Sequence, residues 1–224
     1  IDDPSAYFQT TIYTGNGSSS RAITNSGNSN LQPDFTWIKG RSGGGDDSTE
    51  HALTDSVRGV TKELSTNDIG AVETVAQGLT AFGSNGFTVG TDASYNTSSA
   101  TYVSWNWKAS GSTSTNSDGD INGTQTVSQT AGFSVTTYSG NGGSNQRLGH
   151  GLGVTPKIYI LKRRDNNGQW VFVNTLIDGT LDYLFLETTG AKSNSGRTLP
   201  TSSVVYLENG GDANESGGTH VMYA

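Results

Sequence analysis

"YTGNG" (Tyr13–Gly17) and "YSGNG" (Tyr138–Gly142) decide how this chain folds. Each closes an alternating run led by a phenylalanine, "FQTTIY" from Phe8 and "FSVTTY" from Phe133. Asn-Gly is a favoured connection between antiparallel strands, so the pentapeptide alone says little. Its neighbours say more. With residues 132–224 laid over 7–109, "QPDFTWIKGR" meets "TPKIYILKRR", placing Pro33 on Pro156, Phe35 on Ile158, Trp37 on Ile160, Lys39 on Lys162 and Arg41 on Arg164. Further on, "NGFTVG" meets "SSVVYL" and "TYVSW" meets "THVMY", with Asn96 on Asn214 in the loop before. Order is kept throughout, and length changes fall in Gly/Ser/Asn stretches, where loops accept them.

The matched blocks alternate with period two, the pattern of half-buried strands. The expectation is an all-β chain of two tandem antiparallel β-sandwich domains, jelly-roll-like, with about seven strands each by the usual spacing of turn signals. The first spans 1–109 and the second 132–224, with the second copy's last strand unfinished. Residues 110–131 are mostly Ser, Thr, Gly and Asn and read as a linker, whose half "DINGTQTVSQT" has enough apolar residues to add an edge strand. Apolar side chains are expected inward: Phe8, Trp37, Val103, Trp105, Trp107, Phe133 and Val135, with Tyr102, Ser134, Thr136 and His220 outward. "PKIYILKR" is apolar on both faces and suits a central strand covered on both sides. "DIGAVETVAQGL" (Asp68–Leu79) has helical spacing, weakened by its glycines and β-branched residues, so helix and turn stay open.

Composition bounds the function. Apolar residues make up 31% of the 224, while nine Tyr, seven Phe and four Trp argue for a folded chain rather than a disordered one. A net charge of -7 with no basic stripe argues against nucleic acid as a partner. No apolar run is long enough to span a membrane, and "IDDPSAYF" has no signal-peptide pattern; with no Met at its start, the chain reads as a fragment or processed product. Zero cysteines leave no disulfide and no thiolate metal site, which suits assembly in a cytosol.

Chemistry-bearing motifs are sparse. His51, His150 and His220 form no close pair, and G-x-S-x-G, phosphate-loop and dinucleotide patterns are absent. Asp46, Asp47, Glu50 and Asp55 make the densest acidic patch, read as a solvated loop. "DGDING" (Asp118–Gly123) copies half a calcium loop through Asp118, Asp120 and Asn122. Its closing position holds Gln129 in place of an acid, so a plain turn is preferred. No cofactor, metal or catalytic residue is expected. The one candidate for surface recognition is Tyr95, in the loop "TDASYNTSS" beside Asp92 and Asn96. Trp170, after "DNNGQ", is expected to begin a buried strand.

Through "YTGNG", "QPDFTWIKGR", "DSVRG", "SNGFTVG" and "YVSWNWKA", and their partners "AGFSVTTYSGNG", "GHGLGVTPKIYILKRR" and "LPTSSVVYL", the chain resembles a repeat family of structural proteins in marine tailed bacteriophages, tail-fibre-like or uncharacterised. The resemblance implies a non-enzymatic virion component, a tail or head fibre, assembled in the host cytoplasm and then extracellular. Its partners would be copies of itself, other virion proteins and a host cell-surface glycan. The alternatives are a carbohydrate-binding module of a polysaccharide-degrading protein, a depolymerase acting itself, and a decoration with no receptor role.

Overall fold

Described here is a computed structural model, covering residues 1–43, 50–194 and 196–224. The chain is all-β, and every pair of its named strands is antiparallel. It divides into two compact units, one of Ile1–Thr66 with Val72–Gly111, the other of Ser112–Ala224 with the short segment Asn67–Ala71.

The first unit holds strands β1 (Phe8–Thr14), β2 (Arg21–Thr24), β3 (Phe35–Ser42), β4 (His51–Asp55), β5 (Lys62–Ser65), β6 (Glu73–Thr74), β7 (Leu79–Gly83), β8 (Gly86–Val89) and β9 (Thr101–Trp107), with a one-turn helix α1 (Ala93–Asn96). A six-stranded sheet runs β1-β9-β3-β4-β5-β6, and a three-stranded sheet β2-β8-β7. Tyr13, Ile38, Ala52 and Tyr102 of the large sheet meet Ile23, Leu79, Phe87 and Val89 of the small one in a single core. Each fully buried side chain of this size contributes about 1.5–3 kcal/mol by leaving water.

The second unit holds β10 (Ser114–Asn116), β11 (Gly123–Ser128), β12 (Phe133–Ser139), β13 (Gln146–Gly149), β14 (Ile158–Arg163), β15 (Val171–Asn174), β16 (Asp182–Phe185), β17 (Ser193–Asn194), β18 (Val204–Leu207) and β19 (Thr219–Tyr223). Its large sheet runs β10-β11-β12-β19-β14-β15-β16-β17, and β13 pairs with β18. The core joins Tyr138, Tyr159, Leu161, Val173 and Met222 to Leu148, Val205 and Leu207. The stretch 110–131 thus supplies two strands, β10 and β11, where one edge strand was expected.

Strand pairing carries the repeat into three dimensions. Tyr13 lies opposite Tyr102, and Tyr138 opposite His220. Trp37 lies between Trp105 and Leu53; Ile160 lies between Tyr223 and Phe172. These registers place Lys39 on Lys162 and His51 on Trp170.

The twin pentapeptides are clasps rather than hairpin turns. After β1 the chain crosses to the end of α1: Asn16 N donates to Asn96 Oδ1 (2.9 Å), Gly17 N to Asn96 O (2.9 Å) and the Tyr13 hydroxyl to Tyr95 O (2.9 Å). After β12 the same contacts recur, from Asn141 N to Asn214 Oδ1 (2.9 Å), Gly142 N to Asn214 O (3.0 Å) and the Tyr138 hydroxyl to Ala213 O (2.6 Å). The motif's first glycine is forced by close approach: a Cβ on Gly15 would sit 2.1 Å from Thr97 O, and one on Gly140 2.3 Å from Glu215 O. Tyrosine and the first glycine recur because the knot needs a long donor and a bare Cα; its two backbone N–H groups come from the Asn-Gly pair, whose asparagine side chain also accepts from the N–H two residues on.

The expected strand faces are reversed in the first unit. In β9 the buried residues are Tyr102, Ser104 and Asn106, while Val103, Trp105 and Trp107 stay partly exposed. Phe8 is 39% exposed, whereas its neighbour Gln9 is buried. Threonine, serine and amide side chains fill that part of the interior because each finds a partner. Asn25 Oδ1 accepts from Thr11 Oγ1 (2.8 Å) and Asn106 Nδ2 (3.3 Å), Asn106 Oδ1 accepts from Thr36 Oγ1 (3.2 Å), and Asn25 Nδ2 donates to Leu31 O (3.1 Å). Satisfied in this way, polar groups escape the penalty of burial. In β12 Ser134 and Thr136 are also buried, though their hydroxyls find no hydrogen-bond partner among the described residues, and Phe133 is partly exposed; Val135 is buried as expected. His220 is buried too, stacked on Tyr138 at 5.1 Å, not directed to solvent. Residues 68–79 form no helix; they run extended through the short β6 into a turn before β7.

Candidate functional site

Tyr95 does not present a ring to solvent. It is 1% exposed, in the first unit's core, with its hydroxyl 3.5 Å from Thr54 Oγ1. Asp92 caps α1 by accepting from Ser94 N (2.9 Å), and Asn96 is buried in the clasp. The three residues are neighbours, as expected, but they serve the fold. Beside the Tyr95 hydroxyl, burial pushes the Glu63 carboxyl up to about 7, helped by Asp92 and Glu73 and opposed by hydrogen bonds from Tyr95 and Ser65. A carboxyl whose folded-state value lies above its ordinary 4.5 holds its proton more tightly in the native protein, so stability falls as pH rises from 4.5 through 7. Glu63→Gln removes that loss. The variant is expected to outlast the parent in urea at pH 8 by about 2–3 kcal/mol, with the gap closing near pH 4.5. Parallel stability–pH curves would refute the assignment.

The other sequence candidates are also tied into the fold. Trp170 is fully buried next to β15, as expected. His150 is buried, its Nδ1 accepting from Leu152 N (3.1 Å) and its Nε2 3.2 Å from Thr201 O, and burial pushes it down. Asp120 gives both carboxylate oxygens to Arg147, at 2.6 and 3.0 Å, which hold it at about 2. No cluster of three metal-ligating side chains forms among the described residues. Asp46 and Asp47 lie outside the described residues. Asp55, the buried member of that acidic patch, is paired with Arg58 of "DSVRG".

The reversed faces leave a different surface. On the side of the large sheet away from the first unit's core, Phe8 lies 4.8 Å from Trp107, Trp107 5.1 Å from Phe35, Trp105 6.1 Å from Trp37, and Trp37 5.7 Å from His51. Ile12, 64% exposed, Val103 and Lys39 complete the face. Trp37 Nε1 donates to His51 Nδ1 (2.9 Å), which orients both rings. Burial first, and then the Lys39 ammonium, push His51 down against the pull of Glu50, so its ring is neutral at pH 7. The result is a partly exposed aromatic platform with a cation at one end, able to stack on flat apolar surfaces and to donate to carbonyl or carboxylate oxygens. Sequence reasoning missed it by assigning the tryptophans to the core. The available signal was parity: a buried motif tyrosine at 13 puts Gln9 and Thr11 on its own face and Phe8 and Ile12 on the other.

In the second unit the same end of the sheet is closed. Trp170 stacks on Tyr223 at 6.5 Å, and Lys162 Nζ sits 5.8 Å from the Trp170 ring. Lys162 is fully buried and donates to Ile69 O (2.8 Å), Gly70 O (2.7 Å) and Gly168 O (2.9 Å). Burial pushes its ammonium down to about 8, with Glu187, Asp68 and Asp212 opposing.

One protein-family model, a domain of unknown function (DUF7483), matches residues 3–224. The chain belongs to that family. The DUF7483 match runs through both units as one piece, so the family is defined by the pair rather than by a single repeat. No curated protein and no solved structure matches the chain.

Proposed function

We propose that this DUF7483 chain is a non-enzymatic structural component of a bacteriophage fibre, of the tail or the head, that contacts copies of itself and other virion proteins and meets the host surface. The observation that carries the reading is the repetition itself: one strand register and one Tyr-Gly-Asn clasp built twice, with buried polar groups spent on holding the fold. Like units in series suit a fibre, where weak contacts add through effective concentration. On this reading the protein is assembled in the host cytoplasm and then carried on the virion. Mass spectrometry of purified particles is expected to find it at a fixed copy number. A chain confined to the soluble fraction of infected cells would overturn the proposal.

The platform of Phe8, Trp37, Trp105 and Trp107 favours a second reading, a carbohydrate-binding module, because partly exposed rings stack on the apolar faces of pyranoses. Under it, host polysaccharide quenches tryptophan emission, and Trp105→Ala weakens the effect at least tenfold while the melting temperature shifts little. Release of reducing ends would instead identify a depolymerase.

A further inference from the structure

The loops that join β5 to β6 and β16 to β17 are counterparts. Each sheet pairs Ala52 with Ser65 and Lys62 with Thr74 in the first unit, and Val171 with Phe185 and Asp182 with Asn194 in the second. Both loops therefore have the same length, and Asn67-Asp68-Ile69-Gly70-Ala71 corresponds, residue for residue, to Glu187-Thr188-Thr189-Gly190-Ala191. The two segments share their closing Gly-Ala.

Their surroundings differ. Segment 67–71 belongs to the second unit, where its backbone carbonyls are the acceptors for that unit's buried cation and indole. Lys162 Nζ donates to Ile69 O and Gly70 O, Trp170 Nε1 donates to Asp68 O (3.1 Å), and Gly168 N donates to Ile69 O (2.9 Å). Its counterpart is exposed from Thr188 through Ala191. The face corresponding to Lys162, Trp170, Tyr223 and Ile160 is the first unit's Lys39, His51, Trp105 and Trp37, all partly exposed. The chain thus carries one copy of a loop-on-face contact already made, together with an exposed loop and an accessible face of the same two kinds.

We propose that residues 187–191 of one copy of this chain dock on the Lys39–His51–Trp105 end of the first unit of a second copy, with the Thr189 and Gly190 carbonyls accepting from Lys39 Nζ. Loop and face are different surfaces, so the contact is head-to-tail and extends into open chains instead of closing as a symmetric dimer. This deepens the fibre reading above, since it names the partner and the surfaces of self-association.

A charge swap tests it. Sedimentation of the wild-type chain is expected to show concentration-dependent multimers. Lys39→Glu and Thr189→Lys both alter side chains in contact with water; each alone is expected to weaken association at least tenfold with an unchanged melting temperature. Mixed, Lys39→Glu and Thr189→Lys chains are expected to recover association, because the loop of the first and the face of the second are both unaltered and the two altered surfaces carry opposite charges, so that alternating chains grow again. A wild-type chain monomeric at about 1 mM, where even weak millimolar contacts show, or variants that associate like the wild type, would overturn the proposal. So would a symmetric dimer formed by both variants, or polysaccharide that binds the platform equally in wild type and Thr189→Lys without multimers forming. Head-to-tail growth by a chain absent from purified particles would leave the docking standing and remove the fibre reading; a particle component that ignores Lys39 and Thr189 would do the reverse.

Discussion

Arg58→Ala is expected to lower the stability of the first unit by about 3–5 kcal/mol, the cost of stripping one partner from a buried ion pair. Asp55 and Arg58 have side chains 0% and 1% exposed, joined at 2.5 Å between Oδ2 and Nε. The other carboxylate oxygen accepts from Val57 N (3.1 Å) and Arg58 N (2.8 Å), while the guanidinium also donates to Leu53 O (3.0 Å) and Lys62 O (2.9 Å). Alanine at 58 therefore leaves a buried carboxylate without its cation and two carbonyls without these donors. The double variant Asp55→Asn with Arg58→Met removes both charges and is expected to cost clearly less than Arg58→Ala alone. Tryptophan fluorescence in a urea titration measures this, because Trp37, Trp105 and Trp107 all lie in the first unit. A loss under about 1 kcal/mol for Arg58→Ala would mean that the pair is hydrated and contributes no more than a surface ion pair.

Asn96→Ala and Asn214→Ala are each expected to cost about 3 kcal/mol in their own unit, several buried groups losing partners at about 1–3 kcal/mol each. Asn96 accepts from Asn16 N and donates to Ser18 O (2.8 Å) and Gly90 O (2.9 Å). Asn214 accepts from Asn141 N and donates to Gly143 O (2.7 Å) and Asn141 Oδ1 (3.1 Å). Aspartate keeps the acceptor and loses both donors, so Asn96→Asp separates the clasp from simple volume. It is expected to destabilise at least as much as alanine, and a melt superimposable on the wild type would dismiss the clasp. Asn16→Ala makes the contrast: this side chain is exposed and accepts one bond from Ser18 N (3.0 Å), so the change is expected to stay under about 1 kcal/mol.

How far the sequence could be read varied with the kind of signal. The alignment of Lys39 on Lys162 emerged intact in the strand registers, and that of Asn96 on Asn214 in the clasp, because insertions settle in loops and leave pairing undisturbed. Face assignment failed at Trp105 and Trp107. Period two says which residues share a face, and it cannot say which face meets the second sheet when a chain of Thr11, Asn25, Asn106 and Thr36 can satisfy itself inside. Tyr95 failed for a related reason: a polar loop of small residues hid a one-turn helix that swings the ring into the core. Residues 68–71 carried helical spacing, yet their carbonyls are held by Lys162 and Trp170 from far along the chain, which no local pattern reports.

From the sequence alone come the β class, the duplication, the poverty of catalytic motifs and the order of the matched blocks, since these follow from local periodicity and from self-comparison. The tertiary structure alone decided that the tryptophan platform looks outward, that the twin pentapeptides are clasps, and that one repeat's cation is capped by carbonyls while the other's meets water. Those outcomes depend on which distant group satisfies a buried donor or acceptor, and hydrogen-bond balance is settled only when the whole chain is in place.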